Sequence, residues 1–405
     1  MPESVSEGAF ARLSPQQIEA LGSIWAVLPK ARLVGGVVRD LLMRRPVADI
    51  DLATPEPPEV VQASLKQAGI KAVPTGLAHG TVTAVLEAAP YEITTLRRDV
   101  ETDGRHAVVA WTSDWQEDAA RRDFTINAMS RGRDGVLHDY FGGRADLEQG
   151  RVRFVGDAAT RIQEDALRIL RFFRFQARYG TGQPDPEAMQ AIARHAELLR
   201  GLSVERIWSE LKRILTGPAV SSVVELMAQS GVLAVLFPEG VAQARLARAL
   251  EAGVPADAVL RLALLVQGDR PALARRLKLS GAERAFLVDL SGEPVPEPAM
   301  TDADLRRLLV QTSPQVLLGR TWLRQAGQDG GADGSARGWK AIRARLAALK
   351  PPVFPLAGRD VLAAGSLPGA QVGVVLNQVR AWWLAEGCIA SREACLAFLK
   401  NILNP

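Results

Sequence analysis

Cysteine is nearly missing from this chain: its 405 residues include only two, Cys388 and Cys395. Two thiols at that spacing form neither a disulfide framework nor a zinc site, so a reducing cytoplasm is the expected setting. Long apolar runs are missing too. No stretch of about 18 consecutive apolar residues occurs, and the N-terminal "MPESVSEGAFARLSPQQ" has no apolar segment of the kind a secretion signal needs. A soluble, non-secreted protein with no membrane partner is expected. The four histidines (His79, His106, His138, His195) are scattered, and no fixed-period repeat stands out. What is present is a globular composition, 47% hydrophobic and 23% charged, with a formal charge of +4 carried mostly by arginine. The excess points toward a polyanionic partner, although an arginine-rich proteome would give the same balance. The length implies two to four domains.

Two textures divide the chain. Up to about residue 155 it reads as α/β. "ARLVGGVVRDLLM" is a strand running into a helix, and "ADIDLAT", "GTVTAVLE", "YEITTLRRD", "GVLHDYF" and "RVRFVG" are strand-like with turns between them. After residue 157 helical periodicity takes over. In "LSVERIWSELKRILTGP", Ser203 is placed to cap, Glu205 lies in the first turn, Lys212 and Arg213 lie near the end, and Gly217-Pro218 stops the helix. This helix reads as structural. "GEPVPEPAM" (292–300) and "GQDGGADGSARG" (327–338) have linker composition.

The chemistry concentrates near the N-terminus. In "LVGGVVRD", Gly35 and Gly36 fall at a strand-to-helix turn, where missing side chains let backbone amides reach an anion and the helix N-terminus favours negative charge. Arg39 follows within that helix and can fork onto a phosphate. The stretch is not a P-loop, because the spacing and the Lys-Ser/Thr are absent. A bare Gly-Gly turn is otherwise ordinary turn chemistry. About ten residues on, "ADIDLAT" sets Asp49 and Asp51 two apart between Ile50 and Leu52, on one face if the stretch is a strand. Paired carboxylates repel unless a cation lies between them, and Mg²⁺ favours a few carboxylates plus substrate phosphates. Turn and pair together are what metal-assisted phosphoryl transfer needs. Glu92, in "YEITTLRRD", is the candidate third ligand, with an ordinary exposed strand glutamate as the alternative.

These residues carry a resemblance. "LVGGVVRDLLMRRPVADIDLAT" resembles the signature of the nucleotidyltransferase superfamily that contains class II CCA-adding enzymes and bacterial poly(A) polymerases. In the matching order follow "DGRHA" (103–107), similar to the family's flexible-loop motif, and "RRDFTINAM" (121–129), similar to its sugar- and triphosphate-contacting motif. Then come "EDALRILRFFRF" (164–175), similar to its base-selecting motif, the neck-like "LSVERIWSELKRIL", and a tail-like "LAGRDVLAAGSLPGAQVGVVL" (356–376). The resemblance implies an α+β fold: a polymerase β-like nucleotidyltransferase head (1–155), then an all-helical neck with the base-selecting motif (156–220), body (221–326) and tRNA-binding tail (339–405). It also implies template-independent addition of CCA to the 3′ end of tRNA from CTP and ATP, with Mg²⁺ as cofactor. Asp49 and Asp51 would be the catalytic metal ligands. Arg105, Arg121, Arg122, Asp123 and Asn127 would contact the nucleotide, with Thr125 beside them. Some relatives append a metal-dependent phosphohydrolase domain built on a His-Asp pair, and the scattered histidines imply none here.

The base-selecting stretch can be read from its residues. On a helix, Asp165, Arg168 and Arg171 recur at i+3, with Arg174 further round. A carboxylate accepts hydrogen bonds and a guanidinium only donates them. Cytosine and adenine each offer an exocyclic amine beside a ring acceptor, and guanine and uracil present the reverse. Asp165 with Arg168 would therefore suit C and A without a nucleic-acid template. The competing reading is a surface i,i+3 ion pair. Within the family, "DIDLAT" and the lack of a long basic C-terminal tail favour CCA addition over poly(A), CC-only or A-only addition. A non-catalytic RNA-binding protein on a decayed scaffold is disfavoured, because Asp49, Asp51 and Arg168 are all present.

Overall fold

The computed structural model describes residues 10–47, 49–77, 80–102, 107–328, 333–365 and 368–403. The chain forms two compact units, 1–238 and 239–405. In the first, Ser14 and Gln17 make a reciprocal capping box that starts helix α1 (Pro15–Val27). Strand β1 (Arg32–Val34) then turns through Gly35 into α2 (Gly36–Leu42). Strand β2 (Asp51–Thr54) follows, then α3 (Pro58–Gln67), β3 (Lys71–Gly76), β4 (Thr81–Leu86) and β5 (Ala89–Thr95). Past a two-stranded ribbon, β6 (Arg97–Thr102) and β7 (Ala107–Trp111), come α4 (Trp115–Ala120), β8 (Ser130–Arg131), β9 (Leu137–His138) and α5 (Gly143–Glu148).

The main sheet runs β3-β4-β5-β2-β1-β8-β9. It is antiparallel except where β2 lies parallel to β5, with Asp51 opposite Glu92. Alternation along β2 explains the placement: Ile50 and Leu52 are buried while Asp49 and Asp51 are exposed. Leu33, Leu52, Val82 and Ile93, all fully buried, pack with Leu21 and Ile24 of α1 on the covered face. Each such side chain contributes about 1.5–3 kcal/mol.

Helices follow: α6 (Ala158–Glu164), α7 (Leu167–Tyr179), α8 (Pro186–His195), α9 (Val204–Thr216), α10 (Val220–Gln229) and α11 (Val232–Leu236). Phe124, Phe154, Phe172 and Phe175 form an aromatic cluster that anchors the 121–129 segment on α7, with the Phe124 ring centroid 5.0 Å from those of both Phe154 and Phe175. The second unit is helical among its described residues apart from a Val241–Val266 bridge. Cys388 and Cys395 are both free and buried there, and burial pushes both thiols up.

Several expectations need correction. "YEITTLRRD" is two strands broken at Leu96, because Leu96 turns inward between the sheet and the ribbon. "RVRFVG" makes only a single bridge, Phe124 to Phe154, in which the Thr125 amide donates to the Arg153 carbonyl at 3.0 Å and the Val155 amide to the Asp123 carbonyl at 3.1 Å, with Phe154 packed on α7. Ser203 occupies the cap position of α9 but its hydroxyl accepts no capping bond. The helix Asp333–Ala348 takes up the end of the glycine-rich 327–338 stretch, with Trp339 and Ile342 buried against Leu317.

Candidate active site

A cleft of about 690 Å³ opens in the first unit. Gly35, Gly36 and Arg39 line it, with Asp49 and Asp51, with Arg122, Asp123 and Asn127, and with Asp165, Arg168, Arg171 and Arg174. Four segments spread over some 140 residues of sequence are thereby brought together. Gly35 has φ +69° and ψ −125°, a backbone state side chains resist, and a Cβ there would meet Arg122 Nη1 at 3.4 Å. The turn is therefore reserved for glycine twice over.

Only Asp51 of the acidic pair is in a strand; Asp49 precedes β2. Both face the cleft. Recession in the cleft wall, then the charges of Glu92 and Asp49, raise the Asp51 carboxyl above its ordinary value, with Arg122 partly offsetting them. Such crowding of hard oxygen donors fits a divalent cation. Glu92 sits opposite Asp51 in the register but does not line the cleft, and among the described residues no three acidic, histidine or cysteine side chains gather as a metal-holding group.

A polar chain braces the floor. The Arg39 guanidinium lies 4.4 Å above the Tyr179 ring and donates to Asn127 Oδ1. Asn127 Nδ2 donates to Asp123 Oδ1 at 3.0 Å, and Arg171 Nε donates to Asp123 Oδ2 at 2.8 Å. Burial would raise the Asp123 carboxyl, yet Arg171, Asn127 and the Phe124 amide together hold it below the usual range. A depressed folded-state value stabilises the protein above the unfolded pKa and is lost as pH falls through the folded one. Asp123→Asn is therefore expected to cost roughly 2–4 kcal/mol at pH 7, toward the low end because Arg171 is partly exposed, with the deficit closing below about pH 4. Urea melts of both proteins across pH check this; a gap that does not vary with pH would refute it.

The residues of the 164–175 motif are arranged differently from the simple helical reading. Asp165 ends α6 in an extended conformation, and α7 begins after it, so Asp165 and Arg168 do not share a helix. Asp165 Oδ1 accepts from the Leu167 amide at 3.1 Å, and its Oδ2 accepts from Arg206 Nη2 at 2.7 Å. Arg168 donates to Glu164 at 2.6 Å and to the carbonyls of Arg161 and Arg121 at 2.9 and 3.0 Å. Arg174 pairs with Glu210 at 2.6 Å. Asp165 and Arg168 are each anchored by other groups, so the surface i,i+3 ion pair between them is not formed among the described residues.

Three further placements complete the site. Arg121 does not line the cleft; Asp118 holds it at 2.7 Å, and its Nε also reaches the Arg97 carbonyl. Arg122 shares Asp118 at 3.1 Å but keeps a face on the cleft. Arg105, in the loop-motif match, lies outside the described residues. Arg206 and Arg213 were missed: both line the cleft from α9, whose expected role was structural. Arg206, Glu210 and Arg213 fall at i, i+4 and i+7, a charged stripe that was the available signal. One adjacent His-Asp pair does occur in the sequence, His138-Asp139. Asp139 accepts from the amides of Phe141, Gly143 and Arg144 and so organises a turn.

The cleft thus sets paired carboxylates and a glycine turn against a bank of arginines. Comparison with known proteins agrees. Residues 31–153 match the poly A polymerase head domain, and 183–243 match the probable RNA and SrmB-binding site of polymerase A. The mouse CCA tRNA nucleotidyltransferase 1, mitochondrial, is 37% identical over 91% of this chain and 86% of its own length. The chain belongs to the CCA tRNA nucleotidyltransferase family. A CCA-adding enzyme of Geobacillus stearothermophilus is 38% identical over 70% of this chain and 73% of its own. The crystal structure of the Bacillus stearothermophilus CCA-adding enzyme in complex with CTP superposes with a TM-score of 0.72 at 29% identity, covering 96% of this chain and 98% of that one. Like that family member, this chain is α+β, with a sheet-bearing N-terminal part followed by helices.

Proposed function

We propose that this chain adds CCA to the 3′ end of tRNA from CTP and ATP, with protein side chains serving as the template. The observation that carries the reading is the shared cleft: Asp49 and Asp51 line the same space as Asp165 and Arg168, an acceptor and a donor held by different neighbours.

Asp49 and Asp51 are the residues to hold Mg²⁺, with Glu92 across the strand pair adding negative charge nearby rather than lining the cleft. Bound there, the ion would acidify the attacking 3′-hydroxyl and neutralise triphosphate charge. The Gly35-Gly36 turn lets the triphosphate approach the backbone, and Arg122 and Arg39 add positive charge around it. Asp123 and Asn127, fixed by Arg171 and Arg39, stiffen the floor on which the sugar would rest. Asp165 accepts from the exocyclic amine of C or A and Arg168 donates to the ring acceptor, so U and G meet like groups. Arg105 is proposed to reach a phosphate. The head (1–155) performs the chemistry, the neck (156–220) reads the base, and the body (221–326) and tail (339–405) hold tRNA by its phosphates, making affinity strongly salt-dependent. A cytoplasmic setting fits the two free thiols. No helix among the described residues is long and apolar enough to cross a membrane.

Purified protein with tRNA lacking its last three nucleotides tests the reading. CTP alone should add two residues, and CTP with ATP three. A long ladder from ATP alone would replace it with poly(A) addition, extension that stops after one nucleotide type would mark a CC- or A-only enzyme, and tRNA binding without incorporation would mark a non-catalytic protein.

A further inference from the structure

The helical second unit has a polar cleft of about 530 Å³ whose lining includes four arginines, Arg245, Arg270, Arg320 and Arg324, and one carboxylate, Glu293. The arginines are held mainly by uncharged groups. Arg245 donates to the carbonyls of Leu264, Ala263 and Val266 at 2.6, 3.0 and 3.0 Å. Arg320, only 7% exposed, donates to the Asp289 carbonyl at 2.9 and 2.8 Å and to the Pro294 carbonyl at 3.1 Å. Arg270 Nη1 donates to Ser291 Oγ at 3.0 Å. Glu293 meets Arg324 at 3.3 Å, in a largely exposed pair worth little.

Carbonyl and hydroxyl partners satisfy N–H groups without cancelling charge. Four guanidiniums against one exposed carboxylate leave a cationic hollow. Burial, and then the charge of Arg245, push the Arg270 guanidinium down to about 10. The backbone makes room for the group: a Cβ on Gly292 would lie 2.4 Å from Arg320 Nη2. Bracing alone accounts for Arg245 and Arg320, which tie loop and helix-end carbonyls together. It does not account for Arg270, whose one protein bond is to a hydroxyl among the described residues.

We propose that this cleft binds a phosphate group, with Arg270 as its principal ligand. Guanidinium forks match phosphate oxygens, and a bound dianion would relieve the repulsion between Arg270 and Arg245. The phosphate is carried either on an RNA backbone, which rests on the tRNA reading above, or as free inorganic phosphate, which does not.

The test uses the full chain, Arg270→Gln and Arg270→Lys. Melting midpoints are read in inorganic phosphate against chloride at equal ionic strength, and tRNA affinity is read across a salt series. Part of the phosphate-dependent rise should vanish in Arg270→Gln and largely return in Arg270→Lys, while the part due to the catalytic cleft persists. A backbone phosphate adds a roughly 3- to 10-fold loss of tRNA affinity at low salt and a salt slope shallower by about one. Loss of the phosphate increment with tRNA binding intact assigns the site to free phosphate. Identical melting rises and identical tRNA isotherms for the full chain and Arg270→Gln would overturn the proposal. The CCA reading is tested by incorporation with the full chain, which neither variant enters, so failure here leaves that reading standing, and the reverse holds too.

Discussion

Asp51→Ala, and separately Asp49→Ala, should abolish nucleotide incorporation, by at least about a thousand-fold or ~4 kcal/mol in the barrier, while tRNA affinity stays within a few-fold. The separation follows from position. Both carboxylates sit at the mouth of β2 beside the glycine turn, whereas tRNA is proposed to be held by arginines spread over the helical parts. Asp51→Asn keeps the shape, loses the charge, and should be equally inactive. Without divalent metal it should melt at or above the parent, because Asp49 and Glu92 already crowd that carboxylate. An inactive variant that melts well below the parent would point to lost structure. Near-normal turnover in any of these variants would remove Asp49 and Asp51 from the metal site.

The acidic half of the cleft was legible because its residues are close in sequence and backbone-driven. A glycine pair at a strand end and an acidic pair two apart declare their geometry through φ and period two; the sheet register holds Asp51, while Asp49 lies just before the strand and stays exposed as the alternation requires. The half around Asp165 and Arg168 was legible only in composition. Asp165 and Arg168 both reached the cleft, but a helical projection joined them on one face, whereas the chain breaks after Glu164 and restarts at Leu167. Part of that break is local, because the Asp165 carboxylate accepts from the Leu167 amide at the start of α7. Arg161 and Arg168 converge on Glu164 from three residues before and four after, and Arg206 draws Asp165 away; only this last ion pair lies beyond any local window of sequence. Arg121 does not reach the cleft because Asp118, three residues earlier, holds it tightly. Arginine competition for a few carboxylates helped decide which cations face the cleft.

That competition makes base choice the sharpest expectation. Asp165→Ala deletes the acceptor for the exocyclic amine, and discrimination against UTP should fall about ten- to a hundred-fold, the worth of one hydrogen bond to a charged group at roughly 1.5–3 kcal/mol. Arg168→Ala should impair CTP and ATP use together, since both bases present the same ring acceptor. Arg206→Ala provides the control that sequence alone would not have suggested. It leaves both template groups in place but frees Asp165 Oδ2 from its 2.7 Å partner. A loosened acceptor should blur selection by a smaller factor, with Arg206→Lys restoring part of it, while melting changes little because the pair is about a third exposed. Steady-state incorporation of all four NTPs by the three alanine variants and Arg206→Lys measures this. Unchanged selectivity in Asp165→Ala and Arg168→Ala would end the protein-template idea. Selectivity lost in those two but untouched in Arg206→Ala would show instead that Asp165 is held well enough by the Leu167 amide and the α6–α7 break alone.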